Sequence, residues 1–137
     1  MGEMPRWLDR LLARPKPTPP LRGRPATRRV KHYAALSGYA YEYFHEGFRD
    51  AGPAREYHFA VSSDRRQWST LRVTLREEAL AAWQARNERP LAEAERYALA
   101  KLALFAAFDE ADNPRQLATA VDPGVETVEE LLARLDL

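Results

Sequence analysis

The chain has 137 residues, no cysteine and a formal net charge of +1, with 45% hydrophobic and 30% charged residues. That length suits a single domain, and that composition suits a globular one. The missing cysteines exclude disulfides, thiolate metal sites and thiol catalysis, and they fit a reducing compartment.

The small net charge hides a split. Residues 1–32 hold nine Lys/Arg against two acids, a balance of +7. Residues 33–137 hold twelve against eighteen, a balance of −6. A basic arm before an acidic body points to an anionic partner for the arm.

Residues 5–14 (PRWLDRLLAR) have the pattern of a short helix. Pro5 suits its first position, and Trp7, Leu8, Leu11 and Leu12 share one face. Ten residues are too few for a stable isolated helix, so this one needs a surface to dock on. The apolar pairs here are split by Asp9 and Arg10, so they do not form the unbroken core of a secretion signal. The longest apolar stretch, Tyr97 to Phe108, is too short for a bilayer, and a cytoplasmic location is expected. Residues 15–25 hold five prolines and read as an extended linker. Residues 1–29 are therefore expected to form a flexible basic, Pro-rich arm, and residues 30–137 one domain.

The body opens with strand patterns. Residues 38–49 alternate, with Tyr39, Tyr41 and Tyr43 on one face and Ala40, Glu42 and Phe44 on the other. Residues 56–62 follow, with Tyr57, Phe59 and Val61 sharing a face. In residues 67–75, Leu71, Val73 and Leu75 point inward while Trp68, Thr70, Arg72 and Thr74 point outward. Short links between these runs predict an antiparallel meander. The period then becomes helical. Thr74 and Glu77 are spaced as a capping box for a helix over about 76–88, and Pro90 ends it. Residues 91–111 predict the longest helix, with Phe105 and Leu102 in the core. Residues 113–124 read as a loop. Thr127 and Glu130 form a second capping-box pattern, followed by Val128, Leu131, Leu132 and Leu135 at helical spacing. The expected fold is α+β: a three-stranded antiparallel meander followed by two to three helices packed on one face.

Four groups of residues could carry function. His32, His45 and His58 lie thirteen residues apart. A hairpin turning near residues 51–52 would set His45 opposite His58, with Glu42 or Glu46 and Tyr43 close by. Such a set could do acid–base chemistry. Neither HExxH nor HxH spacing occurs, and no metal site or cofactor is expected. The tyrosines Tyr39, Tyr41 and Tyr43 could stack bases, but the expectation is an aromatic face packed beneath helices. Lys101 stands alone in an apolar run, where a snorkelling side chain is the expectation. The cluster Arg22, Arg24, Arg28, Arg29 and Lys31 suits phosphate or carboxylate recognition.

These features favour a small non-enzymatic binding module. Its arm would dock on a larger acidic protein or a nucleic acid through Trp7, Leu8, Leu11 and Leu12, aided by Arg22, Arg24, Arg28 and Arg29. The alternative is a small enzyme using His45, His58, Glu42 and Tyr43. Oligomeric state leaves no mark in the sequence.

Overall fold

The computed structural model describes residues 18–137, so the expected helix at 5–14 lies outside the described residues. The elements run β1 (Lys31–Ala34), β2 (Ala40–Ala51), β3 (Ala54–Ser62), β4 (Ser69–Arg76), α1 (Glu77–Arg86) and α2 (Glu93–Glu110). A short 3₁₀ turn (Pro114–Gln116), β5 (Ala120–Val121) and α3 (Val125–Arg134) complete the chain. The fold is α+β. Among the described residues the strands form one sheet of order β1-β2-β3-β4-β5, antiparallel except for the parallel β4–β5 pair.

The alternation in the sequence decides which side of the meander is apolar. Tyr41 and Tyr43 of β2, Tyr57, Phe59 and Val61 of β3, and Leu71, Val73 and Leu75 of β4 are all buried. They share one core with Leu80 and Trp83 of α1, Leu99, Leu104 and Phe108 of α2, and Val128, Leu131 and Leu132 of α3. Aromatic stacks join the layers, among them Tyr41 on Phe108 with centroids 4.4 Å apart, and Tyr33 on Phe105 at 4.3 Å.

The sheet has five strands where three were expected. β1 and β5 are four and two residues long, too short to show a period of two. β5 forms because the crossover through α1 and α2 returns the chain to the free edge of β4.

Three local expectations are corrected. Thr74 is a strand residue opposite Glu56, so it cannot cap α1. The first amide of α1 is satisfied instead by the neighbouring hairpin turn, Glu77 N–H donating to the Pro53 carbonyl at 2.8 Å. Thr127 lies inside α3, whose cap position is Gly124. In α2 the fully buried stripe is Leu99, Ala100, Ala103, Leu104, Ala107 and Phe108. Phe105 and Leu102 are half-buried beside it, because a helix apolar nearly all round leaves its facing side undetermined by sequence.

Asp109, at the end of α2, ties the first hairpin to the helix layer. It accepts from the Tyr33 hydroxyl at 2.6 Å and from the Leu36 amide at 3.0 Å. The hydrogen bond to Asp109, reinforced by burial, pushes the Tyr33 hydroxyl up to about 12. A folded value above the unfolded one means the stabilisation is full below pH 10 and is lost as pH rises through about 12. Tyr33→Phe should therefore lower stability at neutral pH by about 1 kcal/mol. The gap to the wild type should close between pH 10 and 12, as read from urea unfolding at a series of alkaline pH values.

Candidate functional site

β2 organises the candidate site, and one irregularity in it decides the geometry. Its pairing with β3 shifts between His45 and Gly47: His45 lies opposite Phe59, while Gly47 lies opposite His58. Glu46 is the extra residue of a β-bulge, which bends a strand and re-aims side chains. His45 and His58 consequently sit on opposite faces of the sheet, against the expectation that they lie opposite each other on one face.

His45 faces the helices, with its ring 4.8 Å from that of Tyr97 and 5.5 Å from that of Phe59. Its Nε2 is buried and lacks a hydrogen-bond partner among the described residues. Burial pushes its pKa below the ordinary histidine value, with a smaller opposing effect from the Gly47 backbone. His58 is on the other face, hydrogen-bonded to Glu56 Oε1 at 2.8 Å. Glu42 is also on that face, held by Arg65 and 3.6 Å from His32 Nδ1. Tyr43 is buried on the helix side, edge-on to Phe105. The four residues of the enzyme alternative are thus divided between two faces, two on each. Among the described residues, no group of three or more His, Asp or Glu is placed to hold a metal ion.

The basic segment is joined to β2. Arg22 and Phe48 exchange two backbone hydrogen bonds, at 2.7 and 2.8 Å, forming an isolated bridge on the strand's outer edge. Two glycines permit the contact. A Cβ on Gly47, whose φ is +129°, would sit 2.7 Å from the Arg22 carbonyl oxygen, and one on Gly23 (φ +70°) would sit 2.6 Å from the Phe48 ring. Arg22 also pairs with Asp50, Asp50 with Arg55 at 2.8 Å, and Arg55 with Glu93 of α2. Arg55 and Arg22 hold the Asp50 carboxyl below its usual range. The chain then arches over the bulge as a strap before returning to the edge as β1. The boundary expected after residue 29 lies between this bridge and β1.

The strap carries most of the sequence-designated cations. Arg24 Nε donates to the Glu46 carbonyl at 3.3 Å, and the Arg28 guanidinium lies over the Phe44 ring at 4.3 Å. Arg24, Arg28, Arg29 and Lys31 have no carboxylate within 4 Å among the described residues. Between strap and sheet lies a cleft of about 410 Å³, with Tyr43, His45 and Tyr97 on one side and Arg29 and Lys31 on the other. Nearby, the Lys101 ammonium lies 5.8–5.9 Å from the ring centroids of Tyr43, Tyr97 and Phe105. Burial, aided by the Lys31 charge, pushes its pKa down. Trp7, Leu8, Leu11 and Leu12 lie outside the described residues.

Sequence reading missed the other half of the surroundings. Trp68 is 39% exposed on the face away from the helices, its ring 5.2 Å from that of Phe44. The available signal was its outward place in an alternating strand, where a large exposed aromatic is informative. Among the described residues no helix is long and apolar enough to cross a membrane. No known family model, curated protein or solved structure matches the chain.

Proposed function

We propose that this protein is a non-enzymatic binding module that holds an anionic partner, an acidic polypeptide or a nucleic acid, against residues 22–31. The observation that carries this reading is the strap. Arg24, Arg28, Arg29 and Lys31 lack carboxylate partners among the described residues, while their neighbours Arg22 and Arg55 are paired with Asp50 and Glu93. A cation fixed by the backbone loses less freedom on binding than one on a free tail, so more of its attraction is retained as affinity. Arginine adds a planar fork that suits phosphate and carboxylate alike. Trp7, Leu8, Leu11 and Leu12 are proposed to add apolar contact from the preceding residues.

The enzyme reading has less support. It needs His45 and His58 to converge on one cavity, and their side chains leave the sheet on opposite sides. His58 is engaged with Glu56, and Glu42 with Arg65.

Binding of a labelled polyanion to the full chain tests the proposal, with Arg24, Arg28, Arg29 and Lys31 replaced together by Ala as the comparison. The wild type should lose affinity steeply between 50 and 200 mM salt. The fourfold variant should bind more weakly at both, and for a single-stranded probe its log–log salt slope should be shallower by roughly 2–3. Equal affinity and equal slope would exclude the strap as the contact.

A further inference from the structure

We propose that the anionic partner is a single-stranded nucleic acid, with phosphates on the strap arginines and a base stacked on Trp68. This rests on the anionic-partner reading above and narrows it. A polyanion of any kind needs only cations. A single strand also presents flat bases at regular intervals, so its site needs aromatic faces beside the cations. The structure has that combination around Arg28.

On one side of Arg28, a depression of about 340 Å³ on the outer face is bounded by Phe44, Trp68, Thr70 and Val30. On the other, a smaller one of about 140 Å³ runs past Arg24 and Pro25 to His45. The two share Arg28, Phe44 and Glu46, so they form one path round the edge of β2. Ala60, buried between Phe44 of β2 and Thr70 of β4, keeps the floor of the first low. Trp68 and Val30 are 39% and 42% exposed there. Thr70, opposite Ala60 on the outer face, adds a hydroxyl donor and acceptor along the first depression. An acidic polypeptide would use the arginines but has no group that calls for the indole. A duplex would keep its bases stacked inside and away from it.

Glu46 is a carboxylate in the path, and it sets a sign. Among the described residues it has no cationic partner within 4 Å, and it lines both depressions beside Arg28. Glu46→Gln should therefore tighten binding of a nucleic-acid strand.

The test uses the full chain and fluorescein-labelled twelve-residue strands: oligouridylate, oligothymidylate, an abasic oligomer of the same length, and polyglutamate of matched charge. Both base-bearing strands should bind more tightly than the abasic one, by about 5- to 150-fold for one stacked base. Trp68→Ala should erase most of that advantage and leave abasic binding unchanged. Equal affinity for base-bearing, abasic and polyglutamate probes would overturn the proposal and leave the anionic-partner reading standing. Salt-independent or absent binding of all four would sink both. A second measurement does not depend on a variant. Ultraviolet crosslinking of a 4-thiouridine strand should map to the peptide containing Trp68 or to that containing Phe44. Crosslinks confined to other peptides would contradict the placement.

Discussion

Phe108→Ala should be among the most destabilising single substitutions in the chain, at about 3–5 kcal/mol. Phe108 is completely buried where β1, β2 and α2 meet. Its ring stacks on Tyr41 at 4.4 Å and lies within 6.2 Å of the rings of Tyr33 and Tyr43. Truncation opens a hole whose lining is mostly flat aromatic rings on a paired sheet, which cannot collapse to fill it. Leu104→Ala, one turn earlier and equally buried, should cost about 2–5 kcal/mol. Phe105→Ala should cost less than Phe108→Ala, because Phe105 is half-buried and its stack on Tyr33 lies at the margin of the core. Trp68→Ala should cost least, since the indole is on the open face. Urea midpoints at constant m-value rank the four. A loss for Phe105→Ala larger than that for Phe108→Ala would mean that α2 is rotated about its axis.

Gly47→Ala should detach the strap. The residue has φ +129° and its missing Cβ points at backbone, the Arg22 carbonyl oxygen, so no side-chain rotation relieves the clash. Forcing an alanine into this conformation costs about 1–3 kcal/mol. The chain can escape by moving residues 21–23 away, which breaks the two hydrogen bonds between Arg22 and Phe48. Either route lowers stability, and the second also frees Arg24 and Arg28. Amide exchange at Arg22 and Phe48 should accelerate far more than exchange in β3, and affinity for a polyanion should fall although no charge has been removed. Unchanged exchange at both amides would show that the bridge tolerates the methyl group.

Much of the body was legible in the sequence. The tyrosines of β2, the alternation in β3 and the Leu71, Val73, Leu75 series mark three strands and their buried side, because a half-covered sheet imposes a period of two. Val128, Leu131 and Leu132 mark α3 for the same kind of reason. Non-local features were not legible. Glu46 adds one residue to β2 and changes which residues of β3 it faces, and that one-residue slip separates His45 from His58. Gly47 within a strand pattern was the available warning. The bridge from Arg22 to Phe48 joins residues far apart in sequence, and a Pro-rich context conceals it. Thr74 and Thr127 had capping-box spacing, yet one is held in the sheet and the other falls inside its helix. Spacing alone does not say where an element begins.

The proposed contact surface is tested most directly by backbone amide chemical shifts of the labelled full chain during titration with an eight-residue oligouridylate at low salt. Shifts concentrated at residues 22–31, 44–48 and 68–70 are expected, fading together as salt is raised. Shifts concentrated on α1 and α3, or confined to residues 1–17 with the strap unmoved, would contradict the placement of the partner on the β2 edge.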